Sequence, residues 1–172
     1  MAITYTSREQ IEVYRFGAMA SVGITLVALL AQAFLPLLMP GFTILDLPLL
    51  VTIFFAMARR SPVSGLLTGG VIGLLQDSLT HHPIGVFGMA KTVVGYGASS
   101  LGVRIDVENT MARLGVTFGF YLVHHVVFFV IARGLVGLEM EWRWGYLILA
   151  AVINAVVALP VYALLDRFKH RT

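Results

Sequence analysis

Few side chains in this sequence can do chemistry, and most of them interrupt apolar runs. Gln76 and Asp77 close one such run, Lys91 lies inside the next, His124 and His125 inside another, and Asn154 inside the last. An ionisable group among apolar neighbours in a bilayer costs about 3 kcal/mol and usually faces a partner or a wet cavity. Asp77 and Lys91 therefore have three readings: a structural ion pair, a ligand or proton site in a wet cavity, or a lysine that snorkels to the interface. Adjacent histidines point about 100° apart on a helix, so His124 and His125 cannot share one metal. Helical zinc ligands need i, i+4 spacing, as in H-E-x-x-H, and the neighbouring His81-His82 pair does not supply it. No metal is expected. Asn154 reads as an interhelical hydrogen-bonding group.

Catalytic patterns are missing. The chain has no cysteine, no G-x-S-x-G and no P-loop. Gly95-Tyr96-Gly97 lacks the third glycine and the preceding strand of a dinucleotide site. Neither a cofactor nor an enzymatic activity is expected.

The elements that must position these groups follow from composition. The 172 residues are 58% hydrophobic and 12% charged, about half the charge of a soluble domain. Mean hydropathy is +0.87 and the pI about 9.5. The basic residues sit at the edges of apolar runs and form no clustered face, so nucleic acid is not an expected partner. The partner is the lipid bilayer.

A crossing helix needs roughly 20 mainly apolar residues. Six runs qualify, at about 16–39, 45–60, 62–79, 84–103, 111–133 and 144–166, and they leave no room for a separate soluble domain. The fold class is an all-α polytopic membrane protein. Ala31-Gln32-Ala33 looks like a signal-peptidase site, but the apolar run continues to Met39, so the segment is kept as a helix. Ser7 and Gln10 fit a capping box before it. Asp46 followed by Pro48 suits the start of the second helix. That helix is short, about 21 Å: either residues 41–46 extend it, or the protein is depressed on its outer side.

With the N-terminus inside, nine basic residues flank the inner ends of the spans (Arg8, Arg15, Arg59, Arg60, Arg104, Arg113, Arg167, Lys169, Arg171) and two, Arg133 and Arg143, the outer ends. This bias places both termini in the cytoplasm. Trp142, Trp144 and Tyr146 mark the outer interface, and Tyr14, Tyr162 and Phe168 the inner one.

Depths along the helices then converge. Asp77 lies roughly 22 Å up the third helix, and Lys91 roughly 10 Å down the fourth. A short loop joins them, so the two side chains are expected to approach in the outer leaflet. Gln76, Asp77, Lys91, His124 and Asn154 form the expected polar cluster.

Glycines provide a second pattern. Gly65, Gly69 and Gly73 recur every four residues, Gly115 and Gly119 repeat the spacing, Gly17 and Ser21 begin the first span, and Ala151 and Ala155 lie in the sixth. In lipid such faces permit close backbone packing. Intramolecular packing is the first reading; a docking face for another membrane protein is the second, and it suits the first helix best.

The stretch Leu45-Asp46-Leu47-Pro48-Leu49-Leu50 through Arg59-Arg60, the glycine-rich helix ending Gly73-Leu74-Leu75-Gln76-Asp77, then Gly85 and Lys91-Thr92-Val93-Val94-Gly95-Tyr96, resembles the MreD family of rod shape-determining membrane proteins. Pro48, Gly65, Gly73, Asp77 and Gly85 are the positions that carry the resemblance. It implies a non-enzymatic role in bacterial sidewall elongation. The implied partners are a bitopic MreC-like protein and, through it, the MreB filament and the RodA glycosyltransferase with its transpeptidase. It also implies a fold similar to the substrate-binding subunits of energy-coupling-factor vitamin transporters.

Two functions compete. One is a scaffold in the bacterial inner membrane that holds a single-span partner. The other is a transport subunit that captures a small vitamin-like solute in an outer cavity. Short outer loops with few aromatic groups favour the scaffold.

Overall fold

The computed structural model describes residues 14–80 and 83–171. The expected capping box at Ser7 and Gln10, and His81 and His82, lie outside them. Six α-helices make up the described chain: α1 (Ala18–Leu38), α2 (Leu47–Arg59), α3 (Pro62–Leu79), α4 (Val86–Gly102), α5 (Thr110–Gly134) and α6 (Trp144–Asp166). A 3₁₀ turn, Pro40–Ile44, precedes α2. Two short strands, β1 (Tyr14–Arg15) and β2 (His170–Arg171), pair antiparallel and bring the two ends of the described chain together.

Among the described residues, four segments are long and apolar enough to cross a membrane: α1, the interrupted 40–59 segment, α5 and α6. Helices α3 and α4, with 18 and 17 residues, are shorter and diluted by glycine, Gln76, Asp77 and Lys91.

Helix α2 is the axis of the bundle. Every residue from Pro48 to Ala58 is buried, which explains why its sequence is apolar around the whole circumference. Helix α1 is its opposite: only Ala28 and Leu29 are buried, and Met19 and Leu37 are 91% and 78% exposed.

The glycines of α3 are there for α4. A Cβ on Gly65 would overlap the Gly95 carbonyl, one on Gly69 the Lys91 carbonyl, and one on Gly73 the Phe87 carbonyl. Gly95 meets the Gly65 carbonyl in return. The two backbones thus touch along a glycine seam, the arrangement that favours association in lipid. Nothing lies within 4 Å of a Cβ on Gly17, Gly115 or Gly119, so these three do not support packing within the chain. Ala151 and Ala155 are buried in α6.

The ends of α5 and α6 are joined by ionic and polar bonds. Arg113 pairs with Asp166 at 2.7 Å and donates through Nε to the Val107 carbonyl. The Thr117 and Tyr162 hydroxyls are bonded at 3.0 Å. Tyr162 is fully buried, which corrects its expected place as an interfacial anchor: its ring packs on Phe54 inside the core.

The seam yields a direct contrast. Gly69→Ala should destabilise the protein by about 1–3 kcal/mol through overpacking. Gly119→Ala should stay within about 0.5 kcal/mol of the parent. Thermal unfolding in detergent measures both.

Candidate functional site

The central site grows out of a break in the helix. Pro48 has no N–H and would crowd a helical carbonyl four residues back, which favours starting α2 just before it rather than running on from the 3₁₀ turn. Leu45 and Asp46 are non-helical, and the break leaves backbone groups exposed in the interior. Unpaired groups there would cost several kcal/mol each, and side chains from other helices supply the missing partners.

Two amides do most of this. Gln32 of α1 donates Nε2–H to the Leu45 carbonyl at 2.9 Å and accepts from Leu47 N at 3.0 Å. Asn154 of α6 donates Nδ2–H to the Ile44 carbonyl at 2.8 Å and accepts from Asp46 N at 2.9 Å. The Ile44 carbonyl is the acceptor that Pro48 cannot serve. It also receives the Tyr121 hydroxyl from α5, at 3.4 Å. The second Asn154 amide bond goes to the Ala150 carbonyl of its own helix.

Asp46 caps the resumed helix. Its Oδ1 accepts from Leu49 N at 3.0 Å, a carboxylate at a helix N-terminus, favoured by the helix dipole. Its Oδ2 accepts from Lys91 Nζ at 2.7 Å. Lys91 is fully buried, lies over the Phe87 ring at 5.1 Å, and also reaches His124 Nε2 at 3.3 Å. With the ammonium as donor, Nε2 is the acceptor and the imidazole proton sits on Nδ1, which has no partner among the described residues. The His124 ring stacks on Phe87, with His125 edge-on beside it. His125 turns instead to Tyr121, stacking on its ring and bonding to its carbonyl.

Asp77 is placed elsewhere, which corrects the expected Asp77–Lys91 pair. Its Oδ2 accepts from Gly85 N and Gly88 N at 2.8 and 3.1 Å, and its Oδ1 from Phe87 N at 3.0 Å. Helix α4 begins at Gly85 with no side-chain cap of its own. The carboxylate from α3 takes over that task and is neutralised by three backbone donors and the helix dipole. Gly85 has φ +104°, a conformation that favours glycine. Gln76 is buried beside it on α3, and its Oε1 has no partner among the described residues.

Of the expected cluster, the structure therefore brings Lys91, His124 and Asn154 together and leaves Gln76 and Asp77 at the α3–α4 turn. Three members, Asp46, Gln32 and Tyr121, were not in the expected cluster. Asp46 was legible as a helix start but not as the partner of Lys91. Gln32 entered only as the middle of the Ala31-Gln32-Ala33 pattern, and its role depends on the bundle. Among the described residues no group of three or more His, Cys, Asp or Glu side chains could hold a metal.

These bonds predict which charge pair is coupled. Lys91→Met should cost about 3–5 kcal/mol by stranding the Asp46 carboxylate. Adding Asp46→Asn should recover more than about 1 kcal/mol of that loss, whereas adding Asp77→Asn should recover little. Thermal unfolding of the double-mutant cycles decides between the pairs.

Comparison with known proteins adds one finding. No curated protein and no solved structure matches the chain. The family model described as rod shape-determining protein MreD matches residues 11–168 of the 172. The Asp46-to-Pro48 break, the α3 glycine seam and the Asp77 cap all lie inside that match, and the chain belongs to the MreD family of rod shape-determining membrane proteins.

Proposed function

We propose that the protein is a non-enzymatic scaffold of the cell-elongation machinery in the bacterial inner membrane. In this reading it crosses the bilayer six times, keeps both termini in the cytoplasm and holds an MreC-like single-span partner. Through that partner it organises sidewall peptidoglycan synthesis by the RodA glycosyltransferase and its transpeptidase along the MreB filament.

The observation that carries the reading is how the buried polar groups are used. Asp46, Gln32 and Asn154 spend their hydrogen bonds on the backbone of the break, and Lys91 neutralises Asp46. A site so committed supports a structural role. The pairing of β1 with β2 supports placing both termini on one side, at the end of the bundle that carries Arg59, Arg113 and Arg167.

Helix α1 supports the docking role. Between it and α6 runs an apolar groove of about 460 Å³, to which Ala20, Gly23 and Ala31 present small side chains. This is the surface on which a partner helix could approach closely. Of the pair expected to form the docking face, Ser21 is turned to Arg59, while Gly17 remains open.

One observation favours the second reading, a substrate-capture subunit of an energy-coupling-factor-type vitamin transporter. A cavity of about 270 Å³ lies at the other end of the bundle between α5 and α6, lined by His125, Phe128, Trp142 and Tyr146. Trp142 Nε1 has no partner there among the described residues. The cavity is small, and the central charges do not open onto it.

Purification from native membranes separates the two. The scaffold should bring down a stoichiometric single-span protein, and Val27→Cys should cross-link to it while Val130→Cys on α5 should not. A stoichiometric vitamin-like molecule with no such partner would reverse the assignment.

A further inference from the structure

Arg59 ends α2, half-buried between α1 and α3. Its guanidinium is bonded to neutral hydroxyls: Ser21 Oγ at 3.1 Å, Thr68 Oγ1 at 3.3 Å and Ser64 Oγ at 3.5 Å. It lies over the Phe55 ring at 5.3 Å. The carboxylates in ion pairs among the described residues are those of Asp46 and Asp166, and neither is paired with Arg59 or Arg60. Arg60 Nε is also shielded and has no partner among the described residues. A partly desolvated guanidinium with no carboxylate partner among the described residues calls for an anion, and its planar fork suits phosphate.

Next to Arg59 a groove of about 320 Å³ opens between α1 and α3, walled by Val22, Leu26, Val71 and Leu75. Ser21 lies about 5 Å from the start of α1 and Leu75 about 20 Å from the start of α3. The groove therefore runs from one membrane face through the depth of a leaflet, about 15 Å of hydrocarbon. A charge at one end and an oily channel along the rest match a molecule with an anionic head and an acyl tail.

We propose that this groove is a binding site for an anionic phospholipid. The phosphate sits against Arg59 and the hydroxyls of Ser21 and Thr68, and one acyl chain lies along α1 and α3. The site is on the side of α1 away from the groove shared with α6, so lipid and partner helix would occupy different faces.

Native mass spectrometry of the full chain, released from detergent with defined lipids, tests the assignment. Phosphatidylglycerol should be retained at least several-fold better than phosphatidylcholine, and millimolar inorganic phosphate should not displace it. Val71→Trp fills the groove from its lipid side without touching Arg59. It should remove most of the retained phosphatidylglycerol while leaving the thermal unfolding midpoint near that of the parent. Arg59→Gln should abolish the preference between the two lipids, and Arg59→Lys should keep part of it. Equal retention of both lipids by the parent, or full retention by Val71→Trp, would overturn the proposal. So would a cysteine at Val71 that cross-links to a protein in native membranes. Should Arg59→Gln fail to fold, the parent's lipid preference and the Val71→Trp result still decide.

Discussion

The fold depends on a helix that stops inside the bundle. In lipid no water is available for a loose backbone group, so a break is tolerated only where protein satisfies it. Here the break lies between Ile44 and Leu47, and Pro48 favours it, sitting in the first turn of the resumed helix where its missing N–H leaves no bond unmade. Partners come from three other helices: Gln32 from α1, Tyr121 from α5 and Asn154 from α6. Lys91 of α4 joins through the Asp46 side chain. Five helices are thus fixed against one another by a four-residue stretch. Apolar packing alone would not specify such an arrangement, because lipid tails are as apolar as the side chains they replace.

The two buried carboxylates do the same job by different electrostatics. Asp46 and Asp77 both receive backbone N–H groups at the first turn of a helix, α2 and α4. Asp46 is bonded to one such donor and needs the Lys91 ammonium; Asp77 is bonded to three and has no ion-pair partner among the described residues. The glycine seam makes this geometry possible. Gly69 lets α3 press on the Lys91 carbonyl, and Gly73 lets it press on that of Phe87. A side chain at either position would push α4 off α3 and withdraw the first turn of α4 from Asp77.

Much of this was legible in the sequence. The apolar runs located six helices, and the Asp46-x-Pro48 pattern located the start of the short second one. Its shortness left open whether residues 41–46 extend it or the outer side is depressed; the helix itself starts at Leu47, and residues 40–44 form a separate 3₁₀ turn across a break. That Lys91, His124 and Asn154 come to one level of the bundle was also readable, since rise per residue is fixed. What counting along the chain cannot supply is azimuth. Asp77 and Lys91 share a depth range, but the first turn of α4 comes between them and captures the carboxylate. Gly65 and Gly115 begin the same four-residue spacing, yet one faces a neighbouring backbone and the other faces nothing within 4 Å. Spacing reveals that a close approach is possible; the neighbour decides whether it occurs.

The position of α1 shows what the polar bonds achieve beyond stability. Its apolar surface is mostly uncovered, and in a bilayer that surface gives little reason for the helix to prefer one orientation over another. Two polar side chains supply the reason. Gln32 ties its upper half to the break, and Ser21 ties its base to Arg59. Held at two heights, about 16 Å apart along the axis, the helix is fixed in rotation as well as in place. It can then present one groove toward α6 and another toward α3 without being buried by either. A helix fixed by packing would have to hide the surface that holds it. One fixed by hydrogen bonds at two points keeps its faces free for lipid and for other membrane helices.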